Sequence, residues 1–166
     1  MVTKISIVTW NRKEVLKRTL ESLALEDDIE VWITDNGSTD GTKDMLLGYA
    51  DGVPCNCRPI GGNYNLVNLY ENRGTAGGRN AHWQHCIGHD SVRLDDKCLP
   101  LVPGWLKALK QQAYERHSIV AVPYDPTVLH LWQIASPVDY ARWNIDQGQG
   151  GPVIFIPAEV TQKLGM

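Results

Sequence analysis

Asp95 and Asp96 stand side by side at the end of a short apolar run, "VRLDDKCLP", and Lys97 follows at once. Paired carboxylates at a strand end can hold a divalent metal against a phosphorylated substrate, whereas a lysine brings its own positive charge to the phosphate. Three other short stretches carry groups of related use. Thr9, Asn11 and Arg12 follow "KISIV", Asp35, Asn36 and Gly37 open "DNGSTDGT", and Asn72, Gly74, Arg79 and Asn80 lie in "NRGTAGGRN". An aspartate so placed can accept from a base N–H or from ribose hydroxyls. Glycines let the backbone come close to a ligand, and a helix start offers N–H groups to phosphate. Taken singly, each stretch also reads as a turn, a helix cap or a solvated strand end. Taken together they suit a nucleoside diphosphate.

The elements that must position these residues are legible from periodicity. Residues 4–10 and 29–35 are β-branched runs that predict strands, and residues 12–24 between them place Leu16, Leu20 and Leu23 at helical spacing. A helical pattern resumes over 43–50, and 51–65 read as a loop rich in Pro, Gly and Asn. Strands are expected at 66–72, 91–96, 118–124 and 152–157, with helices within 75–89 and over 103–116 and 158–165. The stretch 127–136 could add a further strand. This alternation predicts an α/β fold with a mostly parallel central sheet and helices on both faces. Ligands of open α/β sheets bind at the carboxyl ends of the strands, so four successive strand ends would gather on one rim.

A chain of 166 residues is expected to form one domain with a substantial core. Its net charge of −3 argues against broad adhesion to nucleic acid or acidic membranes, though not against a local basic groove. The polar start "MVTKISIVTWNR" and the lack of any long apolar run predict a cytoplasmic protein with no membrane span. Cys55, Cys57, Cys86 and Cys98 are then expected as reduced thiols. His82, His85, Cys86 and His89 fall at helical offsets that could share one face, a ligand-like spacing for a transition metal, against the plainer reading of separate, individually bonded side chains. Most of the tryptophans are expected in the core, with Trp132 or Trp143 a candidate stacking platform for a sugar or base.

The blocks "SIVTWNRKEVLKRTLESL", "IEVWITDNGSTDGT", "NRGTAGGRN" and "LDDKCLPLVPGWL" occur in the order seen in family 2 glycosyltransferases, and the tail "GGPVIFIPAEVTQKLG" is similar to a later strand and helix of that family. The resemblance implies a Rossmann-like GT-A fold and transfer of a sugar from a UDP- or GDP-type donor to an acceptor hydroxyl, usually with inversion. It implies that Thr9, Asn11 and Arg12 lie beside the nucleotide and that Asp35 binds its base or ribose, with Asn36 and Gly37 shaping the turn. Asn72, Gly74, Arg79 and Asn80 would line the donor cleft. Asp95 and Asp96 match the first two positions of the acidic motif that holds Mg²⁺ or Mn²⁺.

Two departures stand out. Lys97 occupies the last acidic position of that motif, which predicts weakened metal dependence, its ammonium partly replacing the ion; the alternative is a Lys97 that points to water. The sequence also stops where the family usually continues, which predicts a short form: a nucleotide-sugar-binding half over 1–110 and a reduced acceptor half over 111–166. Acceptor machinery would then lie in 111–150 or come from a partner chain or homodimer. The general base is expected among Asp146, Asp139 and, less favourably, His130. The competing functions are a non-catalytic nucleotide- or sugar-binding module, a subunit of a larger transferase, and a nucleotidyltransferase.

Overall fold

Alternation along β1 (Thr3–Thr9) separates two chemically different faces of the sheet it centres. Ile5 and Ile7 point to one side and are fully buried, while Lys4 and Ser6 point to the other. The computed structural model describes residues 2–23, 26–50, 63–98, 103–122 and 153–165. Its elements run β1, α1 (Lys13–Leu23), β2 (Ile29–Asn36), α2 (Thr42–Ala50), β3 (Asn63–Leu69) and α3 (Gly74–Trp83). Then follow β4 (Ser91–Asp95), α4 (Trp105–Arg116), β5 (Val120–Val122), β6 (Val153–Ile156) and α5 (Ala158–Leu164). The strands form one sheet in the order β3-β2-β1-β4-β6-β5. β1 pairs in parallel with β2 and β4, and β2 with β3, whereas β6 is antiparallel to both of its neighbours. Five strands therefore share a direction and β6 opposes them.

The apolar face carries Ile5, Ile7, Val31, Ile33, Val92, Leu94 and Phe155, and it packs with Leu16, Leu20 and Leu23 of α1 and Leu106 and Leu109 of α4 in one core. α3 covers the opposite face. Gly78 makes that approach close: a Cβ there would sit 2.6 Å from Val8 Cγ1. One turn on, fully buried His82 uses both ring nitrogens, with Ser6 Oγ on β1 and with Thr34 Oγ1 on β2 at 2.7 Å. The same polar face holds the Lys4–Glu30 ion pair, with Glu30 also accepting from Trp32 Nε1 and Asn65 Nδ2. Far from the rim, buried Asp90 ties two helices to the sheet: it accepts from Tyr114 Oη at 2.5 Å and Ala158 N at 3.1 Å, and pairs with Lys110 at 3.3 Å.

Two local expectations change. The third strand begins at Asn63 and ends at Leu69, so part of the expected loop is strand and 70–72 is not. Tyr64 and Leu66 pack against the core and Asn65 bonds to Glu30, which fixes the register despite the asparagines; Tyr70 is 95% exposed in the turn beyond. The helix carrying the histidines stops at Trp83, so His85, Cys86 and His89 fall in the turns after it. His82 is consumed by two hydroxyls and His85 stacks on Trp32 with centroids 3.7 Å apart. Among the described residues no group of three or more His, Cys, Asp or Glu side chains could hold a metal ion. Cys86 and Cys98 are buried, and neither is in a disulfide. Cys55, Cys57, His130, Trp132, Asp139, Trp143, Asp146 and the expected strand over 127–136 lie outside the described residues.

Candidate functional site

The carboxyl ends of β1, β2 and β4 meet the start of α3 around a cleft of about 300 Å³. It is lined by Val8, Thr9, Trp10 and Arg12 from the first strand end and by Asn36 from the second. Asn72, Gly74, Thr75 and Arg79 come from the third turn and its helix, and Asp95, Asp96 and Lys97 from the fourth strand end.

Asn36 organises the entry to α3. Its Nδ2 donates to Asn72 Oδ1 at 2.9 Å and to the Gly74 carbonyl at 3.1 Å, while its Oδ1 accepts from Arg73 N at 3.0 Å. The first turn of α3 is thereby held at the cleft; Gly74 N donates to Asn72 Oδ1 at 2.8 Å, and the N–H groups just after it lack intrahelical partners and suit an anion. Thr9 Oγ1 donates to Asp96 Oδ2 at 3.0 Å, and Arg12 Nε lies 3.6 Å from the same oxygen. Burial raises the Asp96 pKa, with Thr9 and Arg12 opposing that rise. Asp95 is more open, and Arg79 Nη2 reaches it at 3.4 Å. Burial, then the neighbouring Arg93, pushes Arg79 down to about 10, so it stays cationic at neutral pH. Arg12, Arg79 and Lys97 thus face two carboxylates on the lining.

Four expected site residues do not line the cleft. Asp35 is fully buried, and its Oδ1 accepts from Ser38 N at 3.0 Å, while its Oδ2 is buried with no hydrogen-bond partner among the described residues. Gly37 serves the same turn: φ is +79°, and a Cβ would meet the Glu71 carbonyl carbon at 2.9 Å. Asn11 accepts from Thr39 N at 2.7 Å through its side-chain oxygen and donates its own backbone N–H to Ser38 Oγ at 2.9 Å, joining the first and second strand ends. Asn80 is exposed on α3. Asp40, in the same glycine-rich block, caps Thr42 and also takes the Lys13 N–H at 3.0 Å, so one carboxylate sets the start of both α1 and α2.

Sequence reasoning missed Val8, Thr75 and Trp10. Trp10 is half-exposed at the rim, and its place directly after Thr9, on the strand end already singled out, was the available signal. As for a divalent ion, Asp95 and Asp96 are the oxygen donors at hand, and Asp96 already serves Thr9 and Arg12. They fit a hard cation whose shell is completed by water and substrate phosphate oxygens, not a cage made by protein alone.

Residues 5–151 match the family model of glycosyl transferase family 2, which is most of the chain. The chain belongs to glycosyl transferase family 2. It is 44% identical over 50 residues to the abequosyltransferase RfbV of Salmonella typhimurium (28% of this chain, 15% of that protein). It is 43% identical over 51 residues to a validoxylamine A glucosyltransferase of Streptomyces hygroscopicus subsp. jinggangensis (28% and 12%). It is 34% identical over 107 residues to the uncharacterized glycosyltransferase YfnE of Bacillus subtilis (60% and 25%). The family 2 chain therefore spans a quarter or less of the length of these relatives. Among solved structures, the mannosyltransferase PcManGT from Pyrobaculum calidifontis, in complex with GDP-Man and Mn²⁺, superposes with a TM-score of 0.71 at 20% identity. That match covers 98% of this chain and 46% of the other. TarS of S. aureus superposes with a TM-score of 0.60 at 22% identity (75% and 36%). These likenesses show the GT-A fold. No helix among the described residues is long and apolar enough to cross a membrane.

Proposed function

We propose that this chain binds a nucleotide-diphosphate sugar and transfers the sugar, with inversion, to an acceptor hydroxyl. The observation that carries the reading is the convergence of Trp10, Asn36, Arg79, Asp95, Lys97 and the start of α3 on one cleft. The exposed Trp10 ring at the rim suits stacking against the base. Arg79, Lys97 and the N-terminal N–H groups of α3 suit the diphosphate, whose negative charge grows as the sugar leaves. Thr9 and Arg12 act one step back by holding Asp96 in place.

Asp95, with Asp96 beside it, would hold Mn²⁺ or Mg²⁺ through one or two carboxylate contacts. When bound, the ion supplies Lewis-acid stabilisation of the leaving diphosphate. Lys97, exposed on the cleft lining, supplies part of that charge from the protein itself. Asp146 remains the first choice for the base that deprotonates the acceptor hydroxyl and Asp139 the second. The mannosyltransferase that superposes on this chain was solved with GDP-Man and Mn²⁺, which supports a nucleotide-sugar donor and a metal-assisted site.

A thermal-shift screen of UDP- and GDP-sugars, with and without Mn²⁺, tests donor binding and metal need together. Stabilisation by a nucleotide sugar, deepened by Mn²⁺ and reduced in Trp10→Ala, is expected. No shift with any nucleotide sugar under either condition would overturn the reading.

A further inference from the structure

The turn that carries the acidic pair is gripped from α1. Cys98 N donates to the Asp95 carbonyl at 3.0 Å, which closes a β-turn with Asp96 and Lys97 at its central positions. Thr19, fully buried on α1, donates its hydroxyl to the Asp96 carbonyl at 2.8 Å, 77 residues away in the chain. A threonine hydroxyl has a single proton to give, and the Val15 carbonyl one helical turn back stands at 3.4 Å, so the proton goes to Asp96. The bonded carbonyl belongs to the central peptide of the turn, the unit whose rotation separates type I from type II. Type II would need a positive φ at Lys97, which the backbone does not have. Asp96 is thus held by main chain and side chain together: Thr19 on its carbonyl, and Thr9 at 3.0 Å with Arg12 at 3.6 Å on one carboxylate oxygen. Cys98, 1% exposed in the core, anchors the far side of the turn. Lys97 stands between these two fixed residues, exposed and on the cleft lining.

We infer, resting on the nucleotide-sugar reading, that Thr19 is a positioning residue for the donor: its hold on the Asp96 carbonyl fixes the turn that aims Lys97 at the diphosphate. Thr19 does not line the cleft and acts only through the turn. An ammonium at the end of a flexible stem gains from a fixed root, because every torsion left loose must be frozen when phosphate binds. Without the hydroxyl the central peptide is free to rotate, and the root of Lys97 moves with it.

Isothermal titration calorimetry of the full chain with UDP and GDP tests this, in EDTA so that no metal masks the lysine, and again in Mn²⁺. Thr19→Val removes the hydroxyl and keeps the branched shape. In EDTA it should weaken the accepted nucleotide on the order of fivefold, the worth of one neutral hydrogen bond. Thr19→Ser, which keeps the hydroxyl, should recover most of that affinity. In a Lys97→Ala background Thr19→Val should cost less than about twofold, because the group that it aims is gone. A threonine that only holds the fold together predicts the same loss with and without Lys97. That result, or unchanged affinity in Thr19→Val, overturns the inference and leaves the donor reading standing. Wild-type binding in Mn²⁺ alone would likewise overturn the aiming of Lys97 and keep the donor reading. Binding of neither nucleotide in either buffer overturns both. Should Thr19→Val not fold, Thr19→Ala in the same two backgrounds decides.

Discussion

Acidification should destabilise this protein through one imidazole. His82 is fully buried between Ser6 and Thr34, and burial, aided by His85 and Arg79, pushes its pKa from 6.5 down to about 4. The folded state therefore resists a proton that the unfolded chain takes up readily. Between those two values the unfolded state binds more protons, so stability falls as the pH falls, by about 1.4 kcal/mol per pH unit from this group. Above pH 6.5 the contribution is fully present, and it is lost progressively down to about 4. Going from about pH 7.5 to about pH 5 crosses some 1.5 units of the window, a loss of about 2 kcal/mol. The assay is urea denaturation at both pH values for the wild type and His82→Gln, whose amide bonds a hydroxyl but does not titrate. The variant should start lower by about 1–3 kcal/mol, because one buried hydroxyl loses its partner. It should then lose about 2 kcal/mol less than the wild type on acidification. Parallel losses in the two proteins would refute the reasoning, since His82 would then be accepting its proton inside the folded state at an ordinary pH.

Other expected outcomes follow from single contacts. Gly78→Ala places a methyl 2.6 Å from Val8 Cγ1, so overpacking of about 1–3 kcal/mol should exceed the roughly 1 kcal/mol helix-propensity gain. Thermal unfolding should show a net loss, and donor titration should show weaker binding because Val8 lines the cleft. Asp90→Ala leaves Tyr114, Ala158 N and Lys110 without their shared acceptor and should cost about 3 kcal/mol in urea melts, with Asp90→Asn recovering part of it. Lys97→Ala should lower turnover at least about tenfold and make the remaining activity more sensitive to EDTA, as expected if the ammonium carries charge that the ion would otherwise supply. Complete loss of wild-type turnover in EDTA, with Lys97→Ala unaffected, would show that Lys97 does not share the work of the metal.

Much of the architecture was legible because it depends on local pattern. The apolar alternation of Ile5 and Ile7 and the 3.6-residue spacing of Leu16, Leu20 and Leu23 are each dictated by which face must leave water. The strand-end blocks were equally visible, because glycine, asparagine and charge at the close of an apolar run have few uses in a packed α/β domain. Roles within those blocks were less so. Of the adjacent pair Asp35 and Asn36, the carboxylate turned inward to hold Ser38 and the amide faced the cleft. Neighbouring strand residues point to opposite sides, and only the packed sheet says which side is which.

The sequence by itself determined the alternation of strands and helices, the rim where polar groups collect, and the placing of Lys97 directly after the Asp95–Asp96 pair. The tertiary structure alone decided partnership. It spent His82 on two hydroxyls rather than on a metal, gave Asp96 to Thr9 and Arg12, and brought Arg79 onto Asp95. The physical reason is that a polar side chain's role depends on which group compensates its burial. That group can stand 76 residues away in the chain, as Ser6 does from His82.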